Sequence, residues 1–164
     1  MNEVLIEAFR HAAWATHQLI QTCREPSFQQ MLRVQEFGNI LRNLDHVITS
    51  DAHYVTVLSG APAPDHSEDP PADLERMVQR VDKNLERWEQ LLSEPIDAER
   101  QLILDDGAYE CRASVVILQA LHHGTAHREQ VRKALKDLKM PPKDLQPWEG
   151  ALQLGLARWT KESS

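Results

Sequence analysis

His123 and His127 stand four residues apart in Leu121-His122-His123-Gly124-Thr125-Ala126-His127-Arg128-Glu129-Gln130-Val131. In a helix that spacing brings both imidazoles to one face, where their nitrogens can share a divalent cation. At about 100° per residue, Val116, Ala120, His123, His127, Val131, Ala134 and Leu138 fall on one side, which is otherwise apolar. His122 points the other way, with Glu129 and Lys136. Helical geometry thus separates two adjacent histidines. His122 is expected in solvent, and His123 and His127 are expected to enter the protein together, either as hydrogen-bonded core residues or as a metal-binding pair.

Two histidines make an incomplete site, because a catalytic zinc-type centre takes three protein ligands and keeps a position for water or substrate. A second helix offers candidates in Leu44-Asp45-His46-Val47-Ile48-Thr49-Ser50-Asp51-Ala52-His53-Tyr54, where His46 and His53 share a side with Asn39 and Ser50. That side lies nearly opposite the apolar stripe, so the wheel alone favours a solvated polar strip over a metal edge. Spacing does not choose between the two histidines. Asp51 and Glu36 lie on the same helix and read as solvated carboxylates with no assigned role.

The elements that must position these residues are helical. The first helix runs from Asn2 to about Thr22, with Leu5, Ala8, Phe9, Ala12, Thr16, Leu19 and Cys23 facing inward and His11 and His17 in solvent. Glu25-Pro26-Ser27 breaks it, and the second helix ends at Gly60 after a core face of Phe37, Ile40, Leu41, Leu44, Val47, Ile48, Val55 and Leu58. A proline-rich acidic connection follows, carrying His66 as an exposed residue. The third helix shows Leu74, Met77, Val78, Val81, Leu85, Trp88 and Leu92, and it stops before Pro95. Asp105-Asp106-Gly107 signals a turn between Leu102-Ile103-Leu104 and Ala108-Tyr109, a small hairpin ahead of the histidine helix. That fourth helix spans Arg112 to Lys139 and ends at Pro141-Pro142. Trp148, Ala151, Leu152, Leu156 and Trp159 then outline a shorter fifth. The fold class read from this pattern is all-α, a four-helix bundle with an additional short C-terminal helix, in one domain over residues 1–164.

Composition narrows the function classes. A formal net charge of -7 provides no basic stripe for phosphates, so neither nucleic acid nor an anionic membrane is an expected partner. No apolar run approaches the roughly 20 residues needed to cross a bilayer, and the acidic start Met1-Asn2-Glu3-Val4 does not look like a signal-peptide n-region. A cytoplasmic location is the expectation. Cys23 and Cys111 lack Cys-x-x-Cys spacing and read as reduced packing thiols.

The residues now in view resemble the DinB/YfiT-like superfamily of small helical-bundle metalloproteins. Glu7-Ala8-Phe9-Arg10-His11-Ala12-Ala13-Trp14-Ala15 is similar to that family's opening segment around a Trp-Ala pair. Leu44-Asp45-His46-Val47 followed by Asp51, Tyr54 and Gly60 is similar to its second-helix signature. His123-Gly124-Thr125-Ala126-His127-Arg128-Glu129-Gln130-Val131 resembles the family's His-Gly-x-x-His-Arg-Gly-Gln-Val pattern, with Glu129, an outward position, in place of glycine. The resemblance implies metal ligands at His46, His123 and His127, leaving His53 in reserve. It also implies a bundle of unusual connectivity, homodimers, and zinc or nickel as the ion.

The resemblance further implies thiol-dependent transferases and isomerases that use bacillithiol or mycothiol. A neutral histidine shell leaves the dication positive, able to lower the pKa of a coordinated thiol or water. The expected function is therefore metal-dependent thiol S-transfer or hydrolysis acting on a small molecule, with a low-molecular-weight thiol as cosubstrate in the first case. No Gly-x-Ser-x-Gly, P-loop or dinucleotide fingerprint points to other chemistry. The competing class is a non-catalytic, metal-stabilised dimeric binding or stress-response protein.

Overall fold

The computed structural model describes residues 2–25, 35–62, 73–104 and 107–160, with side chains in the second of these segments from residue 38 onward. Five helices and one hairpin occur among them: α1 (Glu3–Arg24), α2 (Gln35–Ser59), α3 (Leu74–Ser93), β1 (Gln101–Leu104), β2 (Tyr109–Arg112), α4 (Ala113–Asp137) and α5 (Pro147–Gln153). The fold is all-α, as the periodicity requires, with four long helices and a short fifth. Phe37, Glu36 and His66 carry sequence expectations that lie outside the described side chains.

Two helix boundaries have a plain local cause. The Asp73 side chain caps α3 by accepting from Arg76 N at 3.0 Å. Gly60 follows α2 at φ 68°, a conformation that costs a residue without Cβ little. The hairpin forms where the turn signal places it, with Leu102 opposite Cys111 and Leu104 opposite Tyr109; Asp105 and Asp106 lie outside the described residues. Arg100 Nη2 donates to Leu58 O at 2.6 Å, tying the start of the hairpin to the end of α2.

α1 packs on α3 and α4, and α2 packs on the same two helices, so α1 and α2 occupy opposite corners of the bundle. Consecutive helices thus cross a diagonal, both from α1 to α2 and from α3 to α4. Touching α3, α4 and α5, α1 buries a wider arc than one stripe: Trp14, Ala15 and Ile20 join Phe9, Thr16, Leu19 and Cys23. The same crowding corrects the expectation for its histidines. His11 Nε2 donates to Leu145 O at 2.8 Å and His17 Nε2 pairs with Asp82 Oδ1 at 2.8 Å, so neither is simply solvated.

The fifth helix also departs from its pattern. It covers Pro147–Gln153 and ends before Gly155 at φ 72°. Its packing point is Gly150, where a Cβ would come within 3.0 Å of Trp14 Cε3. Close approach of backbone to an indole ring orients α5, leaving Trp148, Leu156 and Trp159 exposed instead of buried.

The interior has three layers. One apolar cluster joins Trp14, Leu19, Ile40, Leu44, Ile48, Met77, Val81, Val131 and Leu135, and a second joins Phe9, Val55, Leu58, Trp88, Leu92, Val116 and Ile117 beneath the hairpin. Phe9 stacks on Trp88 with ring centroids 3.8 Å apart. Between the clusters, Thr16, Asn84 and Arg128 are the buried polar residues among those described. Asp51 joins them at the same level of the bundle by accepting a hydrogen bond from Trp88. No described helix is long and apolar enough to cross a membrane.

Candidate metal centre

The histidine site stands where α2 and α4 pack against each other, beside the polar middle layer. Leu44, Val47 and Ile48 of α2 are buried on one side of His46, and Ala120, Gly124 and Arg128 are buried on one side of His123 and His127. The docking of these two faces carries the three imidazoles, at their margins, toward one another. Arg80 of α3 steadies the adjoining turn of α2 through Asp45 and through Thr49 Oγ1 at 2.7 Å.

His46 Nε2 lies 3.0 Å from His123 Nε2. Ring centroids are 4.9 Å apart for His46–His123, 4.7 Å for His46–His127 and 4.4 Å for His123–His127. One nitrogen from each histidine falls within 4.8 Å of the others. Nitrogens bound tetrahedrally at 2.0–2.1 Å from one ion sit about 3.3 Å apart, so small side-chain adjustments would close this cluster on a divalent cation. His127 Nδ1 is buried without a hydrogen-bond partner among the described residues. An orphaned buried nitrogen costs stability unless something meets its lone pair, and a cation does so. The donor set fits a metal ion.

Electrostatics favours the neutral form of one of the three, His123. Burial pushes the His123 pKa down, and the neighbouring His127, His46 and His122 push it further the same way. His122 is exposed on the outer face, as its helical position requires, and Glu129 is exposed with its carboxylate 2.7 Å from Arg132 Nη2. His53 does not join the cluster. It is exposed two turns along α2, its ring 5.9 Å from that of Tyr54.

The axis of α4 is rotated from the one its apolar residues suggest. The buried line runs through Ile117, Ala120, Gly124, Arg128, Val131 and Leu135, while His123 and His127 are half-buried beside it. The bundle is polar at its middle, so a pattern built from apolar residues is silent over that part of the helix. Asp51 is likewise no surface carboxylate. Trp88 Nε1 donates to it at 2.8 Å, and burial raises its pKa to about 6 against the opposing pull of Trp88 and Arg128. Burial lowers the Arg128 pKa to about 10, with Asp51 opposing.

From sequence, Asn84 and Arg128 carried no assigned role, and Trp88 stood only in the apolar stripe of its helix. One signal was available, the glycine four residues before Arg128. The guanidinium lies across Gly124, where a Cβ would come within 2.9 Å of Nη1, and it donates to Thr125 Oγ1 at 3.2 Å. Asn84 Nδ2 donates to Ile48 O at 2.9 Å, crossing from α3 to α2. A cavity of about 30 Å³ lined by Asp51, Asn84, Tyr54, Arg128 and His123 has room for a water and joins this layer to the histidines.

With that geometry in view, a family match becomes informative. The model of the DinB superfamily matches residues 8–131, most of the chain, and all three clustered histidines lie within the match. The chain belongs to the DinB superfamily. Comparisons with curated proteins and with solved structures each return no match. In this DinB superfamily protein the matched segment takes in the hairpin and nearly all of the four-helix bundle, and α5 lies beyond it.

Proposed function

We propose that this DinB superfamily protein is a divalent-metal-dependent enzyme acting on a small molecule, by thiol transfer to an electrophile or by hydrolysis, with His46, His123 and His127 as ligands. One observation carries the reading: three imidazoles from two helices converge at a half-exposed position, and no carboxylate or thiolate joins them among the described residues. Three ligands without a fourth among the described residues would leave a bound ion a position for water or substrate, as catalytic rather than structural centres do. Zinc or nickel suits an all-imidazole set. A divalent ion held there lowers the pKa of a coordinated thiol or water.

The protein's own part is positional. Asp45 and Thr49, held by Arg80, fix the turn that bears His46. Burial around His123 favours its neutral form, whose lone pair is available to a cation. The polar layer behind the site holds α2 and α3 in register through Asp51, Trp88 and Asn84.

The test combines elemental analysis of protein purified without chelator with a panel of low-molecular-weight thiols offered to a haloaromatic or an epoxide. Metal-dependent consumption of the electrophile, lost on chelation, is the expected result. Stoichiometric metal with no turnover by thiol or water would favour the second reading, a metal-stabilised dimeric binding or stress-response protein. The observation on that side is the exposure of Trp148, Leu154, Leu156 and Trp159, an apolar set that a second copy would cover.

A further inference from the structure

His53 is left over from the metal cluster, and it stands at a cavity. Between α2, α4 and the hairpin lies a groove of about 170 Å³ whose lining includes His53, Tyr54, Val57, Leu104, Cys111 and Gln119. Among the described residues, no Asp, Glu, Lys or Arg lines it. Tyr54 forms a wall of this groove and also of the small cavity behind the histidines, and its ring centroid is 5.9 Å from that of His123. Along α4, Gln119 precedes His123 by one turn on the same face, so the groove opens beside the ligand cluster.

We propose that this groove is the substrate-side subsite of the histidine centre, and that it takes an uncharged apolar group the size of a single aromatic ring. The inference rests on the reading of the histidines as a metal centre and adds the class of molecule presented to it. Volume sets the size, since an apolar cavity of about 150 Å³ accommodates one benzene ring. The lining sets the polarity. Val57, Leu104 and Cys111 offer apolar surface, and a charged group would lose its hydration with no opposite charge among the described lining residues to meet it. Orientation comes from the few neutral polar groups, the Tyr54 hydroxyl, the Gln119 amide and the His53 ring, which can hydrogen-bond a substituent at the rim. The Tyr54 ring then separates the bound group from His123 by the thickness of one side chain. His53 is thereby a specificity residue at the mouth of the groove.

The experiment uses fluorobenzene as the probe, followed by its 19F resonance as protein is added, first with zinc and then with cobalt(II) loaded at the histidines. Saturable binding is expected, with strong line broadening in the cobalt form because the paramagnetic ion adjoins the groove. Val57→Trp should weaken binding by on the order of 10-fold or more by filling the space, with metal stoichiometry unchanged as the sign of an intact fold. Val57→Ala should shift preference toward 1-fluoronaphthalene by enlarging it. Protein that binds metal normally but shows no saturable fluorobenzene binding, or binding indifferent to both substitutions, overturns the subsite. Val57-sensitive binding in protein that takes up no cobalt at the histidines would instead overturn the metal reading. Saturable binding without broadening in the cobalt-loaded protein would overturn the adjacency and, with it, this proposal.

Discussion

Trp88 Nε1 donates a 2.8 Å hydrogen bond to Asp51 Oδ1 at the centre of the bundle, joining α3 to α2 between two apolar clusters. An indole donor and a carboxylate acceptor in the interior hold one relative rotation of the two helices, because any slip would leave both groups unpaired.

The first prediction follows from the proton this carboxyl retains. Burial raises Asp51 from 3.8 to about 6, opposed by Trp88, Arg128, Asn84 and Arg87. Between those values the folded state binds the proton more tightly than the unfolded chain, so the group's stabilising contribution is present below the window and is lost as pH rises through it. A shift of about two units corresponds to about 3 kcal/mol. Relative to wild type, Asp51→Asn should gain up to that amount between pH 4 and pH 7, read from urea midpoints in chelator. A stability difference that stays flat across the window would show that the carboxyl titrates near its ordinary value.

Adjacent histidines should behave oppositely. Protein purified without chelator should carry about one divalent ion per chain, which His127→Ala and His123→Ala lose and the outward-facing His122→Ala keeps. Mass spectrometric metal content decides this, and equal loss from His122→Ala and His123→Ala would contradict the orientation of α4.

On α2 the two candidates should separate as well. His46→Ala should weaken metal affinity by at least the 10- to 100-fold typical of a lost supporting group, while His53→Ala should leave it nearly intact. Stability should track the ion, since a cation that binds only the folded state raises the melting temperature. Chelator should lower the melting temperature of wild type and of His53→Ala but not of His46→Ala; the reverse pattern would move the ligand to His53.

Two apolar side chains test the layer arrangement. Phe9 is buried and stacked on Trp88, so Phe9→Ala should cost about 3–5 kcal/mol in denaturant unfolding. Leu156 is exposed beyond the end of α5, and Leu156→Ala should change stability by no more than about 0.5 kcal/mol. A large loss at Leu156 in dilute protein would mean that its surface is covered.

Local pattern settled much of this protein before any tertiary contact was considered. The spacing of Ile40, Leu41, Leu44, Val47, Ile48, Val55 and Leu58 dictated α2, and the Asp105-Asp106-Gly107 signal gave the hairpin. The four-residue step from His123 to His127 placed their rings together, because neighbours along a helix surface are determined by sequence distance alone. Which histidine of α2 meets them was different. The wheel put His46 and His53 on the same polar side, and only the diagonal connectivity, the antiparallel docking of α2 on α4 and the level at which they cross bring His46 to the pair and leave His53 at the groove. Asp51 and Arg128 escaped for a related reason: a burial pattern read from apolar residues cannot see an interior layer made of charged and amide side chains, whose partners come from other helices and exist only once those helices have packed.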